Sequence, residues 1–575
     1  MCKLCDEGKP QNHDDEGKPE DHSGSRRDFL KTATAAGAAA AAINLFATRP
    51  ARAHDDDHGG PPEDHGKDRR RYVIRGGSVM TMDPSMPNKG ELLNTDVLIE
   101  GKKILHVGQN IVAGDAAEID ARGKIVMPGF IDTHHHQFET ALRSFLADGV
   151  LIKDGSTSAS GTTTYFEYIL LTFAPVYRPQ DVYINELFGG LSQLDDGVTT
   201  VHDVSQIHHS PQHSDAAIQA LFDTGRRAAF GYFESAGANI LGTNPGNQYP
   251  QDAVRIKKQW FSSSDQLVHM IMGGEVYLGD ATTEQSWTIG RQLDLQIAAH
   301  ILSPFGIRPI MDALAQGQGG SNKDIGIGGD NLFIHMTGMS DMAWQKVQDV
   351  GAQVSIAFPI EMNMRHGMPP IIRMQSMAAA AKKPFEPSLS TDVECTMTAD
   401  FFSQMRAAMN LQRLVVNQMI LNSPNGNQNL PDPRNWELPQ SAMTVPGPFP
   451  YWPTPPAGIP DPLTTRDVLR YATINGAKAL KLDKKTGTLT PGKEADIIIL
   501  DPTRINVAPL NQVPGAVVSL MDRTNVETVI VAGKIRKWKG QLLDIDLRQL
   551  RRKLENSRDY IFSKAGVPQN LFSGQ

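Results

Sequence analysis

Ten residues, Met127 to His136, read MPGFIDTHHH and concentrate the chemistry of the chain. The run Ile125–Ile131 is apolar apart from Pro128-Gly129, then breaks at Asp132 into three consecutive histidines. A buried strand that ends in histidines sets imidazoles at the mouth of whatever the strand belongs to. Alternate residues of a strand share a face, so His134 and His136 point one way and His135 the other. Two neutral imidazoles converging from one strand end are half of a metal site. A polar loop with chance histidines is the plainer account of this stretch, so the rest of the chain has to decide.

Three further apolar runs end in residues able to complete such a site. They give Ala299-His300-Ile301-Leu302, Ile334-His335-Met336 and Ser390-Thr391-Asp392. Three imidazoles and a carboxylate around one divalent ion, with a position left for water, make a catalytic centre for zinc or a similar metal. Any one of these residues alone is as readily structural. All of them falling on strand ends is much harder to reach by chance.

The elements that must position them alternate strand and helix. Candidate strands are Ile125–Thr133, Val198–Val204, Arg227–Glu234, Leu267–Met272, Leu295–Ile301, Leu332–Met336, Ala352–Pro359 and Ser388–Asp392. Helical patterns lie between them at Gln180–Asp196, Asp215–Thr224, Thr283–Leu293, Asp341–Val350 and Phe401–Leu421. This alternation predicts an α/β fold, a (β/α)8 TIM barrel over residues 128–485, whose active site sits at the C-terminal ends of its strands. An open doubly wound sheet is the runner-up, but no GxGxxG or GxxxxGK[ST] follows a first strand. A proline-rich insertion, 422–462, with Trp436, Phe449, Tyr451 and Trp452, is long enough to be a lid, a substrate wall or an oligomer contact. Short strands with turns at Gly76-Gly77, Gly101-Lys102 and Arg122-Gly123 fill residues 72–127, and more fill 486–540. Neither set is stable alone, so one β-sandwich built from both chain ends is expected. The tail, 541–575, reads as helical.

The 575 residues are 40% hydrophobic and 21% charged, an ordinary globular composition. A net charge of -8 gives no basic footprint for nucleic acid. Of the three cysteines, Cys2 and Cys5 lie in a polar leader and Cys395 stands alone, so no intrachain disulfide is expected. Arg26-Arg27, an alanine-rich apolar stretch from Thr32 to Ala47 and Ala51-Arg52-Ala53 read as a twin-arginine signal peptide over 1–53. The mature chain would then start near His54, follow a disordered linker (54–71) and work in the periplasm or outside the cell, with no membrane anchor.

With these residues in view, the chain resembles the amidohydrolase superfamily, in its cytosine-deaminase and triazine-chlorohydrolase-like branch. PGFIDTHHH looks like the strand-one signature of that family. Asn475-Gly476-Ala477, Gly487-Thr488-Leu489 and Pro491-Gly492-Lys493-Glu494-Ala495-Asp496 look like its C-terminal one. The resemblance covers roughly residues 72 to 540. It implies a barrel hydrolase of carbon–nitrogen bonds, a homo-oligomer, acting on a small heterocyclic or amide substrate. It implies one divalent ion, Zn2+ or alternatively Fe2+, held by His134, His136, His300 and Asp392. No lysine at a strand-four end suits a bridge between two metals, which favours a single ion. Such an ion lowers the pKa of a coordinated water from about 15.7 to about 7. Asp392 would take the water proton, and His335 would hydrogen-bond the nucleophile or the developing oxyanion.

One position departs from the pattern. Ring deaminases of this branch usually carry glutamate three residues after the strand-five histidine, and here that position is Ser303. Glu361 is a possible substitute acid, against a solvated loop carboxylate. His208, His209 and His213, in the loop after strand two, and Arg365 and His366, after strand seven, are candidate pocket residues. Cys395 reads as packing. Without the glutamate, displacement of chloride or an alkylamine from a ring competes with deamination, and a non-catalytic ligand-binding barrel is the third alternative.

Overall fold

A computed structural model describes residues 60–62, 70–153, 164–236, 248–321, 325–422 and 457–569. The expected signal peptide (1–53), most of the linker (54–71) and most of the proline-rich insertion (422–462) lie outside the described residues. The N-terminal segment supplies β1 (Arg71–Met80), β2 (Glu91–Glu100), β3 (Lys103–Gly108), β4 (Ala117–Asp120) and β5 (Ile125–Pro128). Gly76-Gly77 is not the turn its sequence suggests. β1 runs through it with register shifts on both sides of Gly77, a bulge rather than a reversal. A Cβ at Gly77 would come within 2.7 Å of Val126, so the glycine allows close approach to β5.

The middle of the chain forms the barrel. Its strands are β6 (Phe130–His135), β7 (Val198–Ser205), β8 (Arg227–Tyr232), β9 (Val268–Gly273), β10 (Ile297–His300), β11 (Asn331–Ile334), β12 (Gln353–Ile356) and β13 (Ser388–Leu389). They pair in parallel, each with the next, in an eight-stranded sheet. Side chains alternate as a closed barrel requires. Ile131, Ala298, Leu332 and Ile334 share the interior cluster, whereas Phe130, Ile297, Ala299 and Phe333 face the surrounding helices. β13 is two residues long, much shorter than the Ser388–Asp392 run suggests. The circuit closes beyond it, where the Asp392 N–H donates to the His134 carbonyl and the His136 N–H to the Asp392 carbonyl, both at 2.8 Å.

Four C-terminal strands, β14 (Ile497–Leu500), β15 (Val526–Val531), β16 (Lys534–Trp538) and β17 (Gln541–Leu542), complete a nine-stranded sheet with β1–β5. β14 pairs antiparallel with β5, so the two ends of the chain meet there. A helix, Leu547–Ala565, follows. Among the described residues no helix is long and apolar enough to cross a membrane.

The C-terminal signature joins the parts of the fold. Gly476 lies where a Cβ would meet the Ile131 side chain at 2.8 Å, and Ala477 and Leu480 belong to the barrel's interior cluster. Glu494 and Asp496 grip Arg227 at the start of β8. The guanidinium donates to Glu494 Oε2 at 2.7 Å and to Asp496 Oδ2 at 2.9 Å, all three side chains being buried. Asp496 also accepts the Ala532 N–H at 2.7 Å, tying the barrel to the sheet.

Candidate active site

The C-terminal ends of β6, β10 and β11, with the chain just past β13, deliver four histidines and one aspartate to one place. His134 and His136 share a face of β6, with ring centroids 4.7 Å apart. The His300 ring, from β10, lies 4.8 Å from that of His134 and 5.3 Å from that of His136. His335 follows β11, its ring 5.5 Å from His134. His135 points away, toward Asp132, Glu394 and Arg226, as strand alternation requires. Asp392 is set beside His134 and His136 by the two backbone hydrogen bonds that close the barrel. Asp392 (φ 70°) and His335 (φ 68°) both occupy the left-handed region. That conformation is uncommon for residues with a side chain and clusters at functional sites.

Asp392 Oδ1 lies 3.0 Å from His134 Nε2 and 3.6 Å from His136 Nε2. Ligands at the corners of a tetrahedron around zinc stand about 3.3–3.6 Å apart, so these spacings fit an ion. His300 joins the group through His134 and His335, the three donors lying within 4.8 Å of one another. Burial holds the His134 and His136 imidazoles well below the ordinary histidine pKa, in the neutral form that ligates metals. Burial alone would raise the Asp392 pKa. The facing imidazoles of His134, His335 and His366 outweigh it and keep the carboxylate ionised. Asp392 Oδ2 and both ring nitrogens of His366 are buried without a hydrogen-bond partner among the described residues. An imidazole and carboxylate set with unsatisfied donor atoms fits a divalent cation of borderline softness.

Two buried carboxylates orient the histidines from behind. Glu275, two residues beyond β9, accepts both the His300 backbone N–H (3.0 Å) and its Nδ1–H (2.5 Å), leaving Nε2 for the site. Burial lowers the His300 pKa, but Glu275 more than reverses this. Glu361 accepts from His335 Nδ1 at 2.9 Å and from the Ala357 N–H at 3.1 Å. Such partners fix which ring nitrogen is protonated. Glu275→Gln would set an amide NH2 against one of two N–H donors. We expect it to weaken zinc binding about 10- to 100-fold, measured by competition with a chromogenic chelator; unchanged affinity would reduce Glu275 to packing.

His136, His300, His335 and Asp392 floor a small cavity. Its walls include Leu151, Tyr165, Gln206, Tyr277, Leu302, Phe305, Met364 and His366. His366 therefore lies where a pocket residue should. The six other candidates, Ser303, Glu361, His208, His209, His213 and Arg365, are not in its lining. Ser303 is exposed on a short turn, its backbone N–H donating to Thr337 Oγ1 at 3.2 Å. Glu361 stands behind His335 rather than in the cavity. His208 bonds to Ser214 Oγ and the Ser205 carbonyl. His209 bonds to Ser235 Oγ and the Ala174 carbonyl. Both ring nitrogens of each are thus occupied, His208 within the loop after β7 and His209 by residues outside it. His213 is bonded likewise to Ser210 and Tyr177. Cys395 is buried and free.

Sequence reasoning missed Glu234 and Glu275, which stand two residues past the ends of β8 and β9. The strand-end rule that found the histidines applies equally to them. Glu234 accepts Gln206 Nε2–H at 2.7 Å and the Tyr277 hydroxyl, bracing two cavity walls. Tyr165 donates to buried Glu139 at 2.6 Å. Nothing in the spacing of Tyr165 or Tyr277 marks them, because long loops deliver them.

A (β/α)8 barrel whose strand ends assemble imidazoles around one carboxylate is the architecture of a metal-dependent hydrolase. The profile of the amidohydrolase family matches residues 460–536. Fold, site and this match support a hydrolase acting on carbon–nitrogen bonds, similar in its C-terminal part to the amidohydrolase family. The chain is 23% identical over 508 residues to 5'-deoxyadenosine deaminase of Methanosarcina acetivorans, covering 86% of this chain and 99% of that protein. It is 23% identical over 496 residues to the 5-methylthioadenosine/S-adenosylhomocysteine deaminase of Pelotomaculum thermopropionicum, covering 82% and 95%. An adenosine deaminase from Xanthomonas campestris with bound zinc superposes with a TM-score of 0.63 at 19% identity, covering 88% of this chain and all of that one. Atrazine chlorohydrolase from Arthrobacter aurescens TC1, complexed with zinc, also gives 0.63 at 19% identity, covering 85% and 100%. These two likenesses are ones of fold.

Proposed function

We propose that the chain hydrolyses a carbon–nitrogen bond on a small nitrogen heterocycle, at a centre where His134, His136, His300 and Asp392 hold one divalent ion, zinc by preference. The observation behind this is one ionised carboxylate among imidazoles at the base of a small, largely apolar cavity. An ion held there supplies Lewis acidity toward water and toward the carbon under attack. Asp392 accepts the proton of the attacking water and passes it toward the leaving group. His335, whose Nδ1–H donates to Glu361, presents Nε2 as a hydrogen-bond acceptor to the attacking water. Tyr165, Tyr277 and Phe305, which line the cavity, offer flat surfaces to a ring.

The deaminase relatives support amino-group release. A second reading, displacement of a better leaving group such as chloride or an alkylamine, draws support from the cavity lining. There Asp392 is the sole carboxylate among the residues that line it, and Ser303 supplies no acid, so little is available to protonate a poor leaving group. Metal analysis of the purified protein, combined with a screen of aminated, alkylaminated and chlorinated purines, pyrimidines and triazines, tests both. Ammonia release supports the first, and halide or amine release the second. Stoichiometric zinc without turnover of any of them would leave only a ligand-binding barrel.

Export by the twin-arginine route is proposed on Arg26-Arg27, the apolar stretch and the small-residue site alone. A reporter fused behind residues 1–60 should leave the cytoplasm. It should stay there when both arginines are replaced by lysine, and equal export of the two forms would contradict the proposal.

A further inference from the structure

Gln206 directly follows β7, and its side chain lines the cavity beside that of Tyr277. It is 2% exposed. Its amide nitrogen donates to Glu234 Oε1 at 2.7 Å and to the Tyr277 oxygen at 3.2 Å. That oxygen is open to accept because its own hydrogen goes to Glu234 Oε1. The triangle spends both amide hydrogens and fixes the way the amide points, since a reversed amide would set its oxygen against two acceptor oxygens. Gln206 Oε1 is left over. It has no hydrogen-bond partner among the described residues and is not sealed in by protein. The other polar groups of the lining have their places. His136, His300, His335 and Asp392 belong to the ion and its water in the proposed function. His366 lies against them, its ring 4.8 Å from that of His335 and its Nδ1 4.0 Å from Asp392 Oδ2. The Tyr165 and Tyr277 hydroxyls donate to Glu139 and Glu234.

We propose that Gln206 recognises the substrate of the proposed function, on which this inference rests: its Oε1 accepts a hydrogen bond from an N–H of the heterocycle other than the group that leaves. The preferred substrate is then a ring that carries a second N–H donor beside its leaving group. An acceptor held rigid in a nearly dry wall tells such a ring from one that cannot donate, because the second kind strands the oxygen without a partner. Glu234, which is not in the lining, is a positioning residue that acts through the Gln206 amide.

The test uses the zinc-loaded full-length protein and matched pairs of substrates. Both members of a pair have the ring system, triazine, pyrimidine or 9-methylpurine, and the leaving group that the screen identifies. They differ only at the ring carbon meta to the leaving group, which bears NH2 in one and CH3, of nearly the same shape, in the other. Wild-type kcat/KM should favour the amino member about 10- to 100-fold. Gln206→Met should bring that ratio to within about threefold of one, with bound zinc at the wild-type level, and Gln206→Ser should do the same if the methionine variant does not fold. A merely structural role for Gln206 would lower both members alike and leave the ratio where it was. A wild-type ratio within about threefold of one, or the wild-type ratio in a folded variant, overturns the inference and leaves the proposed function standing. No turnover of any ring in the screen overturns both.

Discussion

Asp392→Asn lowers turnover by about 10³- to 10⁴-fold on the best substrate found in the screen, while the circular dichroism spectrum and melting behaviour stay close to wild type. The reason lies in what asparagine removes. The aspartate is an acceptor on both oxygens, and each oxygen faces imidazoles. The amide keeps one acceptor, turns a donor toward the other pair and carries no charge. It can neither take a proton from water nor balance a cation. The backbone hydrogen bonds that close the barrel at this residue are untouched, so the fold persists. Retained activity would show that another group accepts the proton.

Arg227→Met has the second large effect, on stability. The guanidinium is buried between Glu494 and Asp496, and methionine of similar length leaves two buried carboxylates without it. Removing one member of a buried ion pair costs about 3–5 kcal/mol, because the charge left behind has lost its solvent as well as its partner. Lys102 and Lys103, 3.8 and 3.7 Å from Glu494 and partly exposed, offset only part of this. Denaturant unfolding should show the loss while the folded fraction keeps wild-type kcat, since Arg227 sits at the barrel end opposite the site. A loss below about 1 kcal/mol would mean that the signature's carboxylates do not hold the barrel and the sheet together.

Much of the barrel was legible because its strands are apolar runs with turn signals, and the helix Asp341–Val350 even has the bounds its periodicity suggests. The histidines at the strand ends stood out because a buried run that stops at an imidazole is chemically conspicuous. Asp392 was harder. β13 is only two residues long, and the aspartate owes its position to main-chain bonds with His134 and His136. Glu275 also stands just past a strand end, but its role, orienting His300 25 residues away on the next strand, emerges only from the fold. His208 and His209 misled for the opposite reason. Their residue type suggested a pocket, but His208 is satisfied within its own loop and His209 by Ser235 and Ala174. Ser303 stands at the position where a proton donor was sought, yet Pro304 turns the chain and leaves it on the surface.

Residues from three strand ends are expected to meet around one cation. Anomalous diffraction at the zinc absorption edge, from crystals of the zinc-loaded protein, tests it most directly. A peak about 2.0–2.2 Å from one nitrogen each of His134, His136 and His300 and from an Asp392 oxygen is the predicted result. A zinc-saturated crystal with no peak among those residues would contradict it.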